Sequence, residues 1–61
     1  MKIPKDGSKW TDGYGKKFHV LHTIELEGHV WVHYIRESTT EPNEYSCYVE
    51  SFLLRFREMP E

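Results

Sequence analysis

The chain predicts a mainly β domain, a strongly bent antiparallel sheet of four or five short strands, partly closed, with one short C-terminal helix. Three observations carry this. β-branched and aromatic residues alternate with polar ones over 16–25 and 29–36, the period of strands buried on one face. The glycine-bearing sequences DGYG and LEGH stand where the chain must reverse. Near the end, Phe52, Leu53 and Phe56 recur at helical spacing.

Taken in order, residues 1–9 (MKIPKDGSK) have the profile of a flexible leader, and 10–61 form the single domain. Trp10 opens a short extended piece, and DGYG at 12–15 is dense turn chemistry, because glycine and aspartate tolerate the backbone of a tight reversal. Strands follow at 16–25 and 29–36. The polar segment 37–44 (ESTTEPNE) is a loop leading into a further strand, YSCYV, at 45–49. The tail ESFLLRFRE is a helix that Glu50 or Ser51 caps, and Pro60 lies beyond it. Expected core residues are Trp10, Phe18, Val20, Ile24, Val30, Val32, Tyr34, Cys47, Val49, Phe52 and Phe56.

Two registers are open to the central hairpin. A two-residue turn at Glu27 and Gly28 sets His22 opposite His33 and places both on a face with Phe18, Val20, Ile24, Trp31 and Ile35. A type I turn at Leu26 and Glu27, with Gly28 left-handed in a bulge, pairs Glu25 with His29 instead. Phe18, Val20 and Ile24 then share a face with Val30, Val32 and Tyr34. One slip inverts every side chain, so burial favours the second register, whose apolar face is cleaner. It leaves His19, Leu21, His29, Trp31, His33 and Ile35 on the outer face, either folded over by the rest of the chain or free to bind a partner with Trp31 as anchor.

Composition limits the function. With 61 residues and 38% hydrophobic content the chain has one small core, and the 15% aromatic share supplies it. Eight basic against ten acidic residues leave a net charge of −2, a weak electrostatic footprint for nucleic acid. The single cysteine forms no internal disulfide, and the absence of a long apolar run gives the expectation of a cytoplasmic protein away from membranes.

Chemistry-bearing residues are sparse. Zinc wants three or four converging ligands, with cysteines at short spacing the usual signature, so no metal site is expected even though Glu25 and His29 are near neighbours across the turn. Cys47, alternating with Tyr45 and Val49, is a small buried hydrophobe rather than a nucleophile. The carboxylates form no acid and base pair. No catalytic residues, no cofactor and no enzymatic activity are expected. Lys16, Lys17, Arg36, Arg55 and Arg57 beside Tyr14 or Trp31 are the residues that would serve single-stranded nucleic acid, by phosphate contact and stacking.

The stretches WTDGYGKKFHV, VWVHYIR and YSCYVESFLLRF resemble small bacteriophage-encoded proteins of unknown function. The matching positions are Trp10, Asp12, Gly15, Phe18, Val20, Tyr34, Arg36, Phe52 and Phe56, spread over 10–57. That resemblance implies a small SH3-like barrel and a phage accessory role, with no catalytic residues to carry over. The resulting expectation is a protein-binding module that acts on a host protein through Leu21, Trp31, His33 and Ile35, flanked by His19 and His29. The alternative is a small barrel binding single-stranded nucleic acid, and self-association into a homodimer stays open.

Overall fold

The computed structural model describes residues 3–37 and 44–60; most of the expected polar loop therefore lies outside the described residues. Among these residues five strands and one helix follow in the order β1 (Lys9–Thr11), β2 (Lys17–Leu26), β3 (His29–Arg36), β4 (Glu44–Tyr48), α1 (Val49–Arg55) and β5 (Arg57–Glu58). The strands make one antiparallel sheet in the order β4-β3-β2-β1-β5. Because β4 and β5 sit at opposite edges, the sheet is open, and α1 carries the chain across one face from the first edge to the second.

Asp12 shapes the first reversal. Its Oδ1 accepts from the Tyr14 amide at 2.8 Å and the Lys16 amide at 3.3 Å, the local bonding by which aspartate stabilises turns. Lys5 to Ser8, within the expected leader, are bound into the fold. Gly7 N–H donates to the Val20 carbonyl at 2.7 Å, and Val20 N–H donates to the Ser8 carbonyl at 2.9 Å. Ser8 Oγ then accepts from Trp10 Nε1 at 2.8 Å, which satisfies the indole of a buried tryptophan.

The central hairpin adopts both registers, one at each end. Leu26 pairs with His29 across a two-residue turn in which Glu27 (φ 53°) and Gly28 (φ 81°) are both left-handed, the signature of a type I′ turn. The three-residue turn expected from the sequence is thus corrected: Glu25 faces Val30 and His22 faces His33. A β-bulge between Val20 and His22 then shifts the ladder by one, and Val20 pairs with Tyr34, His19 with Ile35 and Phe18 with Arg36. The extra residue rotates the lower half of β2. Phe18 and Val20 consequently reach the same face as Val32 and Tyr34, while Ile24, expected in the core, points the other way and is 44% exposed.

The core is Trp10, Phe18, Val20, Val32, Tyr34, Val49, Phe52 and Phe56, with Val30, Cys47 and Leu53 packed against it. Phe52 is its centre. Its ring lies edge-on to Trp10 at 5.0 Å and to Tyr34 at 5.3 Å, and 4.7 Å from Phe56, separations at which aromatic pairs attract beyond their buried area. Val49 opens α1 instead of closing β4, and Phe56 has left the helix in extended conformation, its amide bonded to the Phe52 carbonyl at 2.9 Å. Neither Glu50 nor Ser51 caps α1: the N-cap is Tyr48, with no side-chain hydrogen bond. Among the described residues no helix is long and apolar enough to cross a membrane.

Two outcomes follow from this packing. Phe52→Ala should cost about 3–5 kcal/mol, most of the roughly 3–9 kcal/mol expected for a chain of this length; urea denaturation would show a protein largely unfolded in buffer, and a cooperative transition near the wild-type midpoint would refute the assignment. Glu27→Asn, by contrast, should raise the urea midpoint by up to about 1 kcal/mol of stability, because asparagine tolerates the left-handed region better than glutamate; an unchanged or lower midpoint would count against the type I′ turn.

Candidate functional site

Directly opposed residues on antiparallel strands point to the same side, so the ladder pairs define the outer face row by row. Lys9, His19, Ile35 and Glu44 form one row, His22, His33 and Ser46 the next, then Ile24, Trp31 and Tyr48, and finally Leu26 with His29. The bulge and the two-residue turn therefore bring all four histidines to this face, where the sequence reading placed three. Ile24, Leu26 and Tyr48 belong to it as well, and sequence reasoning missed them. The Glu-Gly pair at 27–28 was the signal for the first two, since a two-residue turn sets Ile24 beside Trp31.

Its side chains pack on one another. The ring of Trp31 lies 4.4 Å from that of Tyr48, which is 4.9 Å from His29. The His22 and His33 rings stack at 4.8 Å with 21° between their planes, and His33 Nδ1 lies 3.1 Å from Glu44 Oε1 in a hydrogen bond. Of the expected binding residues, His29 is exposed, while His19, Leu21, Trp31, His33 and Ile35 are half-buried; Leu21 lies at the bulge. His19 Nδ1 is buried and has no hydrogen-bond partner in the described structure. At the turn end the apolar groups are open: Leu26 is 58% exposed and Tyr48 41%. The buried side chains of α1, Val49 and Phe52, belong to the core on the opposite side of the sheet.

A second feature lies on that opposite side. A cleft of about 550 Å³ is lined by Tyr14, Lys16, Arg36, Tyr45 and Arg55 over a floor of Phe18, Tyr34 and Phe56. The DGYG turn projects Tyr14, 90% exposed, at its rim. Arg55 stands 5.1 Å over the Phe56 ring, a cation–π contact that orients the guanidinium. Of the five cations the sequence reading gathered, the cleft unites Lys16, Arg36 and Arg55 and leaves out Lys17 and Arg57; Asp12 also lines it.

Cys47 is a free, half-buried thiol packed against the core. Burial raises its pKa, with Arg55 and a hydrogen bond to Tyr34 opposing. Burial also raises the pKa of the Tyr34 hydroxyl, Cys47 adds to the rise and Arg55 opposes it. A thiol held in its protonated form is a poor nucleophile. No protein-family model, curated protein or solved structure matches the chain.

These two shifts set an alkaline limit. Tyr34 and Cys47 keep their protons in the native state above their ordinary values of 10.0 and 9.0. At pH values between the unfolded and folded pKa the native chain binds more protons than the unfolded one, so stability falls as pH rises. Well below that window both states are protonated and neither group contributes. The urea midpoint should therefore drop as pH rises past about 9, and less steeply in Cys47→Ala; parallel profiles for the two proteins would remove the thiol from this account.

Proposed function

We propose that the chain is a non-enzymatic protein-interaction module that docks a folded partner on the outer face of its sheet. One observation carries the reading: the row Ile24, Trp31 and Tyr48, continued by Leu26 and His29, lies on the face away from the core and holds exposed apolar and aromatic groups side by side. Single exposed apolar residues are ordinary, whereas contiguous ones rimmed by polar groups mark interaction sites. Trp31, half-buried among Tyr48 and Ile24, suits an anchor that enters a partner's pocket, and the polar rim of Glu27, Lys9 and Glu44 suits the border of such an interface. The fitting partner offers an apolar pocket for an indole. The resemblance to phage-encoded proteins makes that partner a host protein and the cytoplasm of the host the place of action. On the same reading the open, helix-crossed sheet is a small SH3-like fold.

The cleft supports a second reading, the binding of single-stranded nucleic acid. Lys16, Arg36 and Arg55 would meet phosphates, and Tyr14 and Tyr45 would offer faces for stacking. The net charge of −2 weighs against it, because nucleic-acid affinity rests largely on neutralised phosphates.

Capture from bacterial lysate, with and without nuclease, separates the two. A partner that survives nuclease and moderate salt should be lost with Trp31→Ala or Ile24→Asp, each weakening binding roughly 30-fold or more if the row is a hot spot. Circular dichroism would establish that both variants are folded. Capture that disappears with nuclease and weakens steeply with salt, while surviving Trp31→Ala, would transfer the function to the cleft.

A further inference from the structure

His22, His33 and Glu44 come from three different strands, and one ligand atom from each lies within 4.8 Å of the other two. We propose that these three side chains form a surface site for a divalent transition-metal ion of the zinc class. Two imidazoles and one carboxylate are a donor set that holds zinc while leaving its fourth position to water. Imidazole-rich sites select zinc, copper or nickel over magnesium and calcium, which prefer all-oxygen shells.

The geometry is close to what such an ion needs. With metal–ligand bonds of about 2.0–2.2 Å, the edge of a tetrahedral site is about 3.3–3.6 Å. The edge between His33 Nδ1 and Glu44 Oε1 is already 3.1 Å. The longest separation in the group, 4.8 Å, must shrink by rotation of a side chain, and His22 and Glu44 are both exposed and free to turn. The stacked arrangement of the two rings keeps the imidazoles side by side before any ion arrives.

The backbone supplies the preorganisation. His22 and His33 oppose each other on adjacent strands only because the two-residue turn sets that register, and β4 then brings Glu44 in beside Ile35, one row from His33. His33 is half-buried, so its ring is held by its neighbours, while the exposed ligands complete the site. Such cross-strand ligands stay invisible to a search for short spacing along the chain. This inference stands independently of whether the same face docks a protein.

The test is a calorimetric titration of the untagged full chain with zinc chloride, alongside His22→Ala, Glu44→Gln and the control His29→Ala. Urea midpoints in the presence of a chelator would verify that the exposed substitutions leave the fold intact. The wild type should bind one ion per chain, His22→Ala and Glu44→Gln should each weaken it at least about tenfold, and His29→Ala should bind as the wild type does. Zinc should also shift the ring-proton resonances of His22 and His33 and leave those of His29 in place. No saturable binding, wild-type affinity in either ligand variant, or an equal loss in His29→Ala would overturn the site.

Discussion

The β2–β3 ladder must satisfy two demands that a single register cannot. The Glu27–Gly28 reversal closes in two residues, which alone would put Phe18 and Val20 on the side of Trp31 and His33. Burial requires the opposite, because Val32 and Tyr34 face the helix and need large apolar neighbours. A bulge at Leu21 resolves the conflict by adding one residue to β2, so that each half of the strand presents its own side chains correctly. Everything else depends on that shift. Without it, either the core loses Phe18 and Val20 or the histidine rows dissolve.

On the inner side the result is a core organised around Phe52. A sheet this small has one face to bury, and a seven-residue helix laid across it covers the face only because its side chains are large. Phe52 bridges Trp10 on β1 and Tyr34 on β3, while Phe56, just past the helix, reaches Phe18 at 4.9 Å. The extended backbone at Phe56 also lets the chain turn straight into β5 against β1. Helix, core and second sheet edge are therefore one cooperative unit, in which losing the central ring would loosen both edges.

Much of this was legible in the residue pattern. Period-two alternation located β2, β3 and β4 to within a residue, and the aromatic spacing located α1 and the rings that fill the core, although the helix stops at Arg55 and the last residues of the expected helix, Arg57 and Glu58, form β5. What the pattern missed has a common physical origin. A rule that compares whole registers cannot see a strand that uses one register at each end, so Ile24 was assigned inward and His22 was kept apart from His33. Asp12 and its two amides made the first turn readable; Glu27, a residue seldom found left-handed, hid the second. The strand β5 is two residues long and has no periodicity to detect. The site suffered likewise, because His22, His33 and Glu44 are brought together by pairing across strands and not by their spacing in the chain.

The outer face is hard to explain by stability alone. A chain of this size has few large apolar side chains, and burying one is worth about 1.5–3 kcal/mol against leaving it exposed. Yet Ile24, Leu26 and Tyr48 stand open to solvent beside Trp31, while polar Thr23 and Glu25 take the places opposite Val32 and Val30 on the inner side. The bulge could have been placed nearer the turn, which would have carried Ile24 inward; its position at Leu21 instead hands Ile24 to the row of Trp31. Stability is thereby forgone at the turn end of the hairpin, and what is obtained in return is a contiguous aromatic and aliphatic row next to paired histidines. That exchange is the physical ground for proposing a function on the outer face before one in the cleft, whose floor of Phe18, Tyr34 and Phe56 the core requires in any case.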